Sequence, residues 1–173
     1  MTLSERLSEY VRACFTGLWI HSAEPDDALT EIAGLCRREN WRLATWDIER
    51  GLRLGDGDAV TSVTDPLGAV QALNSLAKVG ETSLLVLRNF HRFLGSPEVV
   101  QAIENRIAQG RNDRTFVIVL APLVQIPVEL ERQMAVIEHQ LPGRDDLARI
   151  ARGSRPKMPS ALPWSGMVDC DLK

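Results

Sequence analysis

The sequence predicts an α/β fold in which a parallel sheet is sandwiched between helices. Three observations carry this expectation. The runs Leu18-Trp19-Ile20, Ser83-Leu84-Leu85-Val86-Leu87 and Thr115-Phe116-Val117-Ile118-Val119-Leu120 are near-continuously apolar, without alternation, as expected of strands covered on both faces. Segments of helical periodicity alternate with them, each opened by a proline that suits a first helical turn, where its missing N–H is not needed. The chain has 173 residues, 45% hydrophobic and 25% charged, enough for one such domain to bury a core without a metal or disulfide.

The elements follow in order. After the first strand, Pro25 precedes Leu29, Ile32, Ala33 and Cys36 at helical spacing, giving a helix over 25–40. Arg42-Leu43-Ala44-Thr45-Trp46-Asp47 is a second, weaker strand. Leu54-Gly55-Asp56-Gly57-Asp58 reads as a surface turn; its Asp-Gly-Asp pattern lacks the twelfth-position ligand and flanking helices of a calcium loop. Asp65-Pro66 opens a helix through Leu67, Val70, Leu73 and Leu76, and Ser96-Pro97-Glu98 another through Val99, Val100, Ile103 and Ile107. A short helix over 128–134 leads into a fifth strand at Ala135-Val136-Ile137-Glu138-His139, and 144–152 forms a last helix. The β-α-β-α succession implies three layers and right-handed crossovers. Residues 1–152 make the α/β domain; 153–173, with Pro156, Pro159 and Pro163, lack a core pattern and read as a flexible tail.

Charge and cysteine usage exclude several classes. A net charge of −3 and a pI near 5.6 disfavour nucleic acid as a partner, because its phosphates need a clustered positive surface. Arg149, Arg152, Arg155 and Lys157 form only a modest basic cluster, partly neutralised by Asp145 and Asp146. Cys14, Cys36 and Cys170 are odd in number and lack C-x-x-C spacing, which suits a reducing, cytoplasmic location. Cys14 and Cys36 read as small core hydrophobes, and Trp19, Trp41 and Trp46 as core packing. The amino-terminal segment carries Glu5 and Glu9 and has no leader pattern. The longest apolar stretch, 116–128, is broken by Pro122, Gln125 and Pro127 and falls short of the roughly 20 residues of a spanning helix, so no membrane partner is expected.

The junction between first strand and first helix is the most informative segment. A nucleotide-binding α/β domain opens there into a phosphate loop, G-x-x-x-x-G-K-[ST], whose backbone N–H groups and lysine cradle phosphates. Here it is His21-Ser22-Ala23-Glu24-Pro25-Asp26-Asp27, and its three carboxylates would repel a phosphate. Two other constellations invite chemistry: His21 with Asp47 as an acid–base pair at strand ends, and His91 with Arg88 and Arg92 as an anion site. Neither has a nucleophile or substrate contact to anchor it, and the plainer reading of each is ordinary loop residues.

A resemblance extends this reading. Ser83 to Leu94 (Ser-Leu-Leu-Val-Leu-Arg-Asn-Phe-His-Arg-Phe-Leu), Thr45-Trp46-Asp47, Asp65-Pro66-Leu67, Glu129-Leu130-Glu131-Arg132 and Ala135 to Pro142 follow one another as in the large subdomain of AAA-type ATPases. More narrowly, residues 5–150 resemble the degenerate amino-terminal half of the hypothetical-chloroplast-reading-frame AAA family of algae and cyanobacteria. That resemblance implies a three-layer P-loop-NTPase-like fold with a five-stranded parallel sheet in the order 5-1-4-3-2, and no lid subdomain. It places the phosphate site at His21, Ser22 and Asp27, the magnesium aspartate at Asn89, the catalytic glutamate at Phe90, the polar sensor at Ala121-Pro122 and a finger arginine near Arg132. A neutral amide is a poor ligand for a hard cation, so the whole nucleotide-handling set is altered together. The resemblance thus implies no catalytic residue, no metal ligand and no cofactor. It suggests an inactive module acting through protein contacts, with an active AAA ATPase or ring neighbour as partner. The alternative is a fragment of a longer AAA ATPase, or a noncanonical binder of ATP and magnesium.

Overall fold

The computed structural model describes residues 1–55, 59–61 and 63–140. They belong to a compact unit spanning Met1–Leu141. The expected helix at 144–152, the tail from 153 and the basic cluster lie outside the described residues, as do Asp56, Gly57 and Asp58 of the expected turn.

The chain opens with an element the sequence reading did not assign, α1 (Leu3–Arg12). A reciprocal capping box starts it: the Glu5 N–H donates to Thr2 Oγ1 at 3.2 Å and the Thr2 N–H to the Glu5 carboxylate at 2.8 Å. Its apolar face is Leu3, Leu7 and Val11, all buried. β1 (Gly17–His21) follows, then α2 (Pro25–Glu39), which ends at Asn40 in the left-handed region, φ 56°. β2 is Arg42–Asp47, β3 Gly51–Leu54 and β4 Ala59–Thr61. α3 (Pro66–Leu76) is capped by Asp65, whose carboxylate accepts the Gly68 N–H at 2.7 Å. β5 (Ser83–Arg88) runs into a 3₁₀ turn, Phe90–Phe93. α4 (Pro97–Asp113), β6 (Thr115–Ala121) and β7 (Met134–Glu138) complete the described chain.

The sheet corrects the expectation of five parallel strands in the order 5-1-4-3-2. Among the described residues it has seven, in the order β4-β3-β2-β5-β6-β1-β7, and is mixed. β2, β5, β6, β1 and β7 are parallel; β3 pairs antiparallel with β2 and β4 with β3, extending one edge. The run assigned to a turn from Leu54 onward overlapped this addition: Leu54 is the last residue of β3, opposite Ala44. The hairpin strands are short, so little periodicity announces them. The helix expected over 128–134 is also absent. Residues 128–133 are turns, with the Leu130 N–H donating to the Pro127 carbonyl (2.9 Å) and the Gln133 N–H to that of Leu130 (2.9 Å), while buried Leu130 anchors the segment.

Two cores flank the sheet. On one face α1 and α2 place Leu7, Val11, Ile32 and Leu35 against Leu18, Ile20, Phe116 and Ile118; Trp41 packs partly buried beside them. On the other, α3 and α4 place Val70, Leu73, Ile103 and Ile107 against Trp46, Leu85 and Val117, with Trp19 and Phe90 in the same cluster. Alternate residues of β6 thus serve opposite cores, which explains its unbroken hydrophobicity. α4 comes close to the sheet at Gly110, where a Cβ would collide with the Thr115 carbonyl. Cys36 is buried, as expected, while Cys14 is half-buried. Among the described residues no helix is long and apolar enough to cross a membrane.

Candidate functional site

Parallel strands bring β1, β5 and β6 to one carboxyl edge, where ligands of open α/β sheets bind. His21, Ser22, Asp27 and Asn89 all lie there, at the ends of β1 and β5 and in the first turn of α2. Arg132 does not. It stands one residue before Gln133 and the start of β7, and Met134 is level with Gly17 at the opposite edge of the sheet. Arg132 is exposed there.

The turn between β1 and α2 is three residues, Ser22-Ala23-Glu24, and two of its N–H groups are engaged within the chain. The Ser22 N–H donates to the Ala121 carbonyl at 3.0 Å and the Glu24 N–H to Ser22 Oγ at 3.1 Å. Pro25 has no N–H to offer. Of the donors a phosphate would need, one is spent inside the turn and one is absent. Ser22 itself is 1% exposed, its hydroxyl 2.7 Å from His139 Nδ1. Beyond the ring, His139 Nε2 lies 3.7 Å from Glu31, whose other oxygen accepts from the Ser4 N–H (2.8 Å) and Ser4 Oγ (2.7 Å). One half-buried polar chain thereby joins the ends of β1 and β7 to α2 and α1.

The charges at the edge are paired across the same space. Asp26, in the first turn of α2, takes the Arg88 guanidinium at the end of β5, 2.7 Å away. A carboxylate of the chain itself thus stands at the helix N-terminus, where the macrodipole favours negative charge. His21 Nδ1 is 2.7 Å from Glu138 and Nε2 is 3.0 Å from the Pro122 carbonyl. Asn89 is exposed with φ 52°, left-handed, and Phe90 behind it is fully buried. At this edge the Glu24 N–H is taken by Ser22, Pro25 offers none, the Asp26 carboxylate stands at the start of α2, and Asn89 and the buried Phe90 follow β5.

The two other constellations also come apart. β1 and β2 are separated by β6 and β5, so His21 and Asp47 are not neighbours. Asp47 instead accepts the Glu49 and Arg50 N–H groups at 3.0 and 2.7 Å, closing the turn into β3. Arg88 is engaged by Asp26. Burial, and then the Arg92 charge, hold His91 below its ordinary pKa, and its Nδ1 is buried without a hydrogen-bond partner. Arg92 lines a cleft of about 480 Å³ with Leu67, Phe93, Asp65 and Glu98, two carboxylates that do not suit an anion. The Ser96 hydroxyl holds the Glu98 carboxyl below the usual range.

Sequence reasoning missed Ser4, Glu31, Glu138 and His139. Asp26 was noticed only as a repelling charge. Ser4 and Glu31 sit on helices and Glu138 and His139 end a strand; nothing in their spacing brings them together.

Comparisons with known proteins bear on the fold and the family. A family model described as SpoVK-like AAA ATPase, N-terminal domain, matches residues 3–139. The uncharacterized AAA domain-containing protein ycf46 of Guillardia theta is 25% identical over 111 residues, 64% of this chain and 22% of that protein. Among solved structures, a chain in the E. coli MS115-1 HORMA:CdnC:Trip13 complex superposes with a TM-score of 0.59 at 11% identity, covering 87% of this chain and 63% of that one. That likeness is one of fold.

Proposed function

The chain belongs to the family of SpoVK-like AAA ATPase N-terminal domains, and from that premise we propose that it is a catalytically inactive AAA-like module acting through protein contacts. Its partner is an active AAA ATPase module or ring neighbour. The observation that carries this reading is the β1–α2 turn, where the Ser22 and Glu24 N–H groups are engaged, Pro25 has none and Asp26 holds Arg88. A phosphate arriving there would have to displace an ion pair and then face Glu24 and Asp27.

Titration of the purified protein with ATP and magnesium by calorimetry tests it, against a variant in which residues 21–27 are replaced by a working phosphate loop. The expected result is no saturable heat from the native chain. Saturable, magnesium-dependent binding, or ATP turnover by the pure protein, would overturn the reading.

A second reading is favoured by one observation: the matched segment is 22% of the length of the Guillardia theta protein. On it, the chain is a module of a longer AAA ATPase whose chemistry is done elsewhere, or retains noncanonical ATP binding. Binding stabilises the native state by mass action, so a magnesium-dependent rise in Tm with ATP would favour that alternative.

A further inference from the structure

Beside the β1–α2 turn, the connection between β6 and β7 holds aliphatic side chains out into solvent. Leu123, Val124 and Val128 are 41%, 44% and 73% exposed. Their backbone is tied into the core: the Trp19 indole N–H donates to the Leu123 carbonyl at 3.0 Å, His21 Nε2 is 3.0 Å from the Pro122 carbonyl, and buried Leu130 closes the segment. These side chains are therefore presented on a fixed framework. Apolar groups so held, next to polar ones, mark contact surfaces.

The adjoining charge selects what can cover them. At this edge Arg88 is taken up by Asp26, and the His21 ring nitrogens by the Glu138 carboxylate and the Pro122 carbonyl. Carboxylates are left over: Glu24 and Asp27 are exposed and form no ion pair among the described residues, and Asp26 and Glu138 stay largely in solvent, their side chains 86% and 56% exposed.

We propose that the β6–β7 connection and the acidic turn beside it form a docking surface for a cationic, aliphatic segment of a partner protein. Its apolar side chains cover Leu123 and Val124 while its lysines or arginines face Glu24 and Asp27. Charge complementarity excludes an acidic segment or a nucleic acid, whose charges would meet those carboxylates. The inference rests on the protein-contact reading above and names the chemistry of the partner.

The test uses the full chain and, as probe, a synthetic amphipathic leucine–lysine peptide followed by fluorescence anisotropy at several salt concentrations, with a leucine–glutamate peptide of equal length as counter-probe. The variants are Leu123→Ser with Val124→Ser, Glu24→Gln with Asp27→Asn, and Asp113→Asn at the far end of α4 as a charge control; circular dichroism verifies folding. Each patch pair is expected to weaken the leucine–lysine peptide by roughly tenfold, with the charge pair also flattening the salt dependence, as complementary electrostatics requires. Asp113→Asn should leave binding unchanged. The proposal is overturned if the folded patch variants bind as the native chain does, if Asp113→Asn weakens binding equally, or if the glutamate peptide binds as well. ATP binding by calorimetry would instead defeat the inactive-module reading without altering the peptide result, so the two failures are distinguishable.

Discussion

Placing at position 90 the glutamate that the AAA resemblance implies there should unfold this chain. Phe90 is fully buried, its ring edge-on to Trp46 with centroids 5.3 Å apart and tilted against Phe93 at 5.6 Å. Truncating such a buried aromatic costs about 3–5 kcal/mol. A carboxyl group in its place would have its pKa raised by roughly 2–3 units through desolvation, which adds about 3–4 kcal/mol at neutral pH. The retained aliphatic stem recovers about 1–2 kcal/mol. Phe90→Glu should therefore lose about 5–7 kcal/mol, comparable with the whole stability of many domains. The sign of its pH dependence follows from the raised folded-state pKa. The native state binds more protons, so the extra loss is absent below the unfolded value, about pH 4.3, and grows as pH rises toward the folded one. Guanidinium unfolding of Phe90→Glu and Phe90→Leu at about pH 4 and about pH 7 reads this directly, the leucine variant losing about 1–2 kcal/mol at both. If the two variants match at both pH values, Phe90 does not sit in a dry aromatic cluster and the reasoning fails.

Gly110→Ala should destabilise by about 1–3 kcal/mol although alanine favours helix by about 1 kcal/mol, because the added carbon meets the Thr115 carbonyl and the Thr16 side chain; thermal unfolding measures the sign. Ser22→Ala should cost about 1–3 kcal/mol in denaturant unfolding, since it strips the Glu24 N–H and the His139 ring of a buried partner. Burial pushes the Cys36 thiol up to about 12, so mass spectrometry should find its peptide unalkylated by iodoacetamide near neutral pH until the protein is denatured. The Thr2 N–H and hydroxyl hold the Glu5 carboxyl below its usual range, so its contribution to α1 is present above the unfolded pKa and lost as pH falls through the folded one. Acid titration by circular dichroism should show that loss in the native chain and not in Glu5→Gln.

The strands that could be read in advance were those whose burial shows locally. Phe116 to Leu120 are apolar at every position because each side of the strand meets a helix layer, and Pro25, Pro66 and Pro97 mark helix starts by backbone chemistry alone. α1 went unassigned although Thr2 and Glu5 carry a capping box, and β3 and β4 lie at an edge, where short strands leave little pattern. At the site, composition revealed the acidic turn but not its partners. Asp26 and Arg88 are 62 residues apart, and Ser22 and His139 are 117 apart.

Order along the chain was enough to establish the class of fold and the character of the buried strands, because apolar continuity and proline act through their immediate neighbours. Parallel crossovers decided the rest. They set His21 beside Glu138 rather than Asp47, moved Arg132 to the far edge, and buried Ser22 against His139. Such pairings depend on which strands the packed helices bring side by side, a property of the whole sheet that no local stretch of sequence encodes.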